Sequence, residues 1–264
     1  MTAGLPSGAE LPGFAAAQLV AFVLVLGRVA PLFLLAPVLS ATTLAARAKF
    51  LVAAAVSVAI APVAAEHRTV PVEPLAFALA LAHEAAVGLA IALALGALGA
   101  AIQAGASLLD TLSGFSLGAV VDPVAGGQSA VLGQVYSLFA AMVFLLTGGV
   151  RLMIAAVARS YDLVPLGAAP ARGRLAALAL DALSSIPLIG LELVAPVIVA
   201  LVVTDAAFGL LARAVPQLNV LVIGLPAKVL LAFGVIAASL PFVGARLRDD
   251  LVHSLAQALG ALGS

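Results

Sequence analysis

A chain of 264 residues that is 64% hydrophobic and 9% charged, with a mean hydropathy of +1.27, is too apolar for a soluble globular domain, whose apolar fraction stays near one half. It reads instead as an integral membrane protein. Its 12 basic and 12 acidic residues balance, which argues against a nucleic-acid binder or a polybasic lipid anchor, and the absence of cysteine excludes disulfides, thiol chemistry and thiolate metal sites.

In chain order, the opening MTAGLPSGAELPG has no basic residue ahead of the first apolar run. It lacks the charged start of a secretory signal, so that run is expected to be retained. Apolar segments then fall at about residues 14–39, 50–65, 75–102, 131–158, 175–211 and 218–243, to be compared with the roughly 20 residues a spanning helix needs. Pro31, Pro37, Pro187 and Pro196 lie in or near the first and fifth segments. Proline removes a helical hydrogen bond, so broken helices are expected there, and the fifth segment is long enough for a bent hairpin. Basic residues set no clean orientation. Arg47, Lys49 and Arg68 stand in successive connections that should face opposite sides, and the Arg172/Arg174 and Arg246/Arg248 pairs add no bias.

Between the third and fourth segments runs GASLLDTLSGFSLGAVVDPVAGGQS, residues 105–129. Gly105, Gly114 and Gly118 interrupt it, Asp110 and Asp122 charge it, and Asp122-Pro123 followed by Gly126-Gly127 closes it with turn residues. A continuous helix is not expected. Irregular backbone at membrane depth survives only where it is buried in protein or lines a cavity, so this stretch is either an extramembrane connection or part of a pore. An internal echo also stands out: Arg28-Val-Ala-Pro31, Lys49 and Pro62 are matched in spacing style by Arg213-Ala-Val-Pro216, Lys228 and Pro241. Duplication and coincidence both account for it.

Ionised side chains inside apolar segments cost about 2.5–3.5 kcal/mol on insertion scales, so they are partnered, functional or snorkelling to an interface. Arg28, Glu84, Arg151, Glu192, Asp205, Arg213 and Lys228 are the candidates. Asp205 and Arg213 share a helix face but are two turns apart, too far to pair. Counter-charges are therefore expected on other subunits. Lys228 follows Pro226 at what reads as a helix start, where the macrodipole disfavours a cation and something acidic should compensate. His67, His83 and His253 are scattered and form no ligand cluster. No nucleophile-base pair, phosphate-binding glycine loop or zinc-protease pattern occurs, and Asp249-Asp250 with Arg246 and Arg248 reads as a solvated helix end. No catalytic residue, metal site or cofactor is expected.

The ordered set Arg28, Pro31, Pro37, Lys49, Glu84 and Gly88 continues in Gly114-Phe-Ser-Leu-Gly-Ala-Val-Val-Asp122-Pro, Gly127-Gln128 and Val164-Pro-Leu-Gly167. It goes on through Ala195-Pro196, Asp205, Gly209, Arg213, Pro216-Gln-Leu-Asn219 and Gly224-Leu-Pro226-Ala-Lys228. Over nearly its whole length the chain resembles the FliR/SctT family, the R/T component of the flagellar and type III secretion export gate. Pro-Gln-Leu-Asn followed by Gly-Leu-Pro-Ala-Lys looks more like flagellar than injectisome members.

The resemblance implies an all-α, non-enzymatic subunit of the bacterial cytoplasmic membrane and flagellar basal body, with broken helices and helical hairpins. A P-like part over about residues 1–167 would be followed by a Q-like hairpin over 168–264. It implies assembly with five P-type and four Q-type subunits and other export-apparatus membrane proteins, in contact with lipid and with unfolded flagellar proteins as cargo. It also makes the loop from Gly114 to Gln128 a pore plug: Gly114, Phe115, Ser116, Leu117, Gly118, Val120, Val121, Asp122 and Pro123. Here Val120-Val121 stand where many members carry a bulkier aromatic, leaving Phe115 as the loop's one aromatic. Arg28, Lys49, Glu84, Asp205, Arg213 and Lys228 are the expected intramembrane or subunit-contact charges. An injectisome gate subunit, a secondary transporter coupling through Glu84, Asp110 or Asp205, and a polytopic scaffold are the alternatives.

Overall fold

The computed structural model describes residues 11–35, 45–65, 73–114, 131–170, 172–215 and 220–263. These residues are all-α, with no strand among them. The helices are α1 (Leu11–Leu35), α2 (Ala46–Ala64), α3 (Pro74–Ser113), α4 (Val131–Leu146), α5 (Gly149–Leu163), α6 (Arg172–Ala214) and α7 (Val220–Gly263). Alanine and leucine dominate them, and a helix satisfies its own backbone polar groups in lipid. By length and composition five are able to cross a membrane, or six spans if α4 and α5 form one broken span.

Prolines inside the described helices do not break them. The chain stays helical through Pro31, Pro187 and Pro196, so the breaks expected in the first and fifth apolar segments are absent there; Pro37 lies outside the described residues. The break falls in the fourth segment, between α4 and α5. Its cause is Gly148, whose φ of 72° lies in the left-handed region that glycine adopts without steric cost. Gly105, in turn, does not interrupt α3, which runs on to Ser113 and ends at Gly114 with φ 92°. A glycine costs a helix about 1 kcal/mol relative to alanine, less than the several kcal/mol of an unpaired amide in lipid.

At 40, 43 and 44 residues, α3, α6 and α7 are each roughly 60–66 Å long. Each is about twice the hydrocarbon thickness of a bilayer.

Two compact units share these helices. The first contains Met1–Gly96, Gly148–Ala182 and Val252–Ser264. Its core includes Leu24, Leu32, Val87, Ile91 and Leu95, and Gly88 lets α3 lie directly against the α1 backbone at Arg28. Ala90 and Ala94 of α3 meet Leu178 of α6 and Ala258 of α7 in one cluster. The second contains Ala97–Thr147 and Leu183–Leu251. It encloses Leu109, Leu132, Val197, Leu201, Ala232 and Val243.

Candidate functional site

The first unit is built around a charge. Arg28 of α1 and Glu84 of α3 are both fully buried. Arg28 Nε donates to Glu84 Oε2 at 2.6 Å and Nη2 to Oε1 at 3.1 Å, a two-pronged ion pair. The remaining contacts reach two further elements. Nη1 donates to Ser160 Oγ of α5 at 2.9 Å, and Nη2 also donates to the Val164 carbonyl at 3.0 Å. The guanidinium lies 3.9 Å from the centroid of the Tyr161 ring, a cation–π stack. Glu84 Oε1 accepts the Gly167 amide at 2.8 Å. Val164 and Gly167 belong to the connector after α5, where the Ala168 amide donates to the Pro165 carbonyl at 2.9 Å across a turn that needs Gly167 at φ 76°. The sequence-based reading singled out Arg28, Glu84 and Val164–Gly167 separately; the fold brings them together. Nothing in the sequence marked Ser160 or Tyr161.

In the second unit a buried carboxylate joins the last turn of α3 to the first turn of α4. Asp110, buried one turn before the end of α3, accepts the Leu132 amide in the first turn of α4 at 3.0 Å. A carboxylate is favoured there by the orphan amides and the dipole of a helix N-terminus. Of the expected plug residues Gly114 ends α3, while Phe115, Ser116, Leu117, Gly118, Val120, Val121, Asp122 and Pro123 lie outside the described residues.

Helices α6 and α7 form an antiparallel hairpin within this unit, joined by two ion pairs. Lys228 Nζ meets Asp205 Oδ1 at 2.7 Å, and Arg246 pairs with Glu192. Arg246 Nε also lies 3.6 Å from Asp250 Oδ1. Lys228 is not at a helix start, because α7 begins at Val220, ahead of Pro226. Its compensating acid exists, and it is Asp205 of the same chain. For Arg28, Glu84, Asp205, Lys228 and Glu192 the expectation of counter-charges on other subunits gives way to pairing within the chain. Arg213 is exposed near the end of α6, and Lys49 is half-buried in the first turn of α2. The internal echo has no structural counterpart: Arg28 is buried and Arg213 exposed, and Pro62 stands near the end of α2 whereas α7 continues well past Pro241.

Among the described residues no three His, Asp or Glu side chains converge as metal ligands. What the fold and its buried charges define is a helical membrane protein whose interior charges are paired. A family profile described as "Bacterial export proteins, family 1" matches residues 19–253. The chain belongs to this family of bacterial export proteins, which is not a family of enzymes. It is 34% identical over 153 residues to the flagellar biosynthetic protein FliR of Bacillus subtilis, covering 57% of this chain and 59% of that one. It is 30% identical over 217 residues to FliR of Escherichia coli, 82% of each chain, and 28% identical over 203 residues to the surface presentation of antigens protein SpaR of Salmonella typhimurium, 76% of this chain and 75% of the other.

Proposed function

We propose that this chain is the R/T-type subunit of a flagellar type III export gate in the bacterial cytoplasmic membrane, forming part of the path by which unfolded flagellar proteins leave the cell. The observation that carries this reading is the match to the export-protein family from residue 19 to 253, supported by the FliR of E. coli along 82% of both chains. Residues 1–167 are read as the P-like part and 168–264 as the Q-like hairpin, with five P-type and four Q-type subunits as partners. Helices α3, α6 and α7, about twice as long as a bilayer core is thick, fit an assembly that rises out of the membrane plane and would leave the basic residues without a simple sidedness. Pro216–Asn219 and Gly224–Lys228 favour the flagellar over the injectisome reading. A coupled transporter needs carboxylates able to exchange partners, and Glu84, Asp110 and Asp205 are each bonded within the chain.

The loop from Gly114 to Gln128 acts in this reading as the plug. It is apolar and glycine-rich where an extramembrane connection would be polar, and Asp110 ahead of it accepts the amide of Leu132 beyond it. An apolar constriction blocks ions by excluding water, and glycines let it move aside for cargo.

Affinity purification of the tagged chain from its own bacterium tests the assignment. It should come out in one complex with two other hydrophobic proteins, and its deletion should abolish motility. Purification as a lone, homogeneous, thermally stable monomer, or deletion without loss of motility, would overturn it.

A further inference from the structure

We propose that Arg28 and Glu84 are positioning residues whose buried pair holds the connector between α5 and α6 at Val164 and Gly167, rather than serving to stabilise the helical core. Two observations carry this. First, a buried ion pair is a poor way to gain stability, since replacing one with apolar side chains of similar volume is commonly neutral or favourable. Second, each member of the pair also bonds the connector. Arg28 Nη2 donates to the Val164 carbonyl and Glu84 Oε1 accepts the Gly167 amide, at 3.0 and 2.8 Å, so both residues of the pair grip the same short turn. No apolar side chain can do either.

The turn matters because it launches α6. Helix α6 starts at Arg172, and its first turns lie in the same unit as the connector, with Leu178 packed on Ala90 and Ala94 of α3. Arginine is the residue this task requires. Its planar fork reaches Glu84, Ser160 and Val164 at once, whereas a lysine ammonium makes a compact contact that cannot span them. Tyr161 under the guanidinium fixes the plane of the fork. Pro165 and Gly167 complete the device by fixing the turn whose amide and carbonyl are gripped.

The inference rests on contacts within the chain, and its test needs no export assay. Because the chain has no cysteine, Leu166→Cys places one half-buried thiol in the connector. In the purified protein, with whatever subunits accompany it, its rate of reaction with a maleimide reports how often the connector opens. In the Arg28→Met/Glu84→Leu background the rate should rise about tenfold, the scale set by losing two net hydrogen bonds, while the thermal midpoint of the complex stays within a few degrees. Arg28→Lys, which keeps the charge opposite Glu84 but cannot reach Val164 as well, should likewise raise the rate, with a lower thermal midpoint from the buried acceptors left unpaired. Ser160→Ala, which cuts only the link to α5, should leave it near the parent value. An unchanged rate in stable Arg28→Met/Glu84→Leu and Arg28→Lys proteins overturns the proposal. So does failure of both to accumulate, because the pair would then be serving the core itself.

Discussion

Asp205 of α6 and Lys228 of α7 join the two arms of the hairpin through a 2.7 Å ion pair in which the lysine side chain is 15% exposed and the carboxylate 50%. In water so exposed a pair is worth only about 0–1 kcal/mol, but within apolar helices an orphaned charge costs roughly 2.5–3.5 kcal/mol on insertion scales. Lys228→Glu, which sets two carboxylates against each other, should therefore deplete the assembled complex and stop swimming. Because the partner is in the same chain, Asp205→Lys should restore both when combined with it. Membrane immunoblots and swimming halos check this; normal swimming of the single variant would refute it.

Gly105 of α3 and Gly190 of α6 bring two backbones together: a Cβ on Gly105 would lie 2.5 Å from the Gly190 carbonyl oxygen, and one on Gly190 2.6 Å from that of Ala101. Backbone cannot swing aside as a side chain can. Gly190→Ala should cost about 1–3 kcal/mol through overpacking, read as a lower thermal midpoint of the purified complex. Gly209 and Gly234 have open space where a Cβ would stand, so Gly209→Ala and Gly234→Ala should be neutral or stabilising by up to about 1 kcal/mol.

Asp110 caps a helix that starts far from it in sequence. Asp110→Ala should cost about 0.5–2 kcal/mol, the range of N-cap losses, with faster hydrogen exchange confined to the first turn of α4. Asp110→Asn keeps an acceptor oxygen and should recover most of that protection. Equal exchange in all three proteins would show that the contact contributes nothing.

Deleting Gly114 to Val121 while keeping Asp122-Pro123 tests the plug directly. The complex should still assemble but conduct ions in planar bilayers and sensitise cells to small molecules, because an apolar seal depends on the volume that excludes water. Phe115→Ala removes the largest side chain of that loop and should leak less than the deletion. Normal assembly with no added conductance would make the segment a plain connector.

Composition and hydropathy were enough to establish a membrane protein with six apolar segments, and the ordered motifs from Arg28 to Lys228 pointed to its family and, through it, to an all-α fold. Both are properties of local runs of chain, and helix formation in lipid depends on little else. Where helices break was less legible, because a proline or glycine costs a helix an amount that the surroundings can override: Pro187 and Gly105 are tolerated, whereas Gly148 breaks the chain between α4 and α5. Which charges pair was not legible, although an acid opposite Lys228 was expected. Arg28 and Glu84 are 56 positions apart, and Asp205 finds Lys228 across a hairpin rather than Arg213 on its own helix face. Which charges meet is decided by the rotation and depth of whole helices, set by all their packed side chains together, so only the tertiary structure could supply the partners, and with them the grip on Val164 and Gly167.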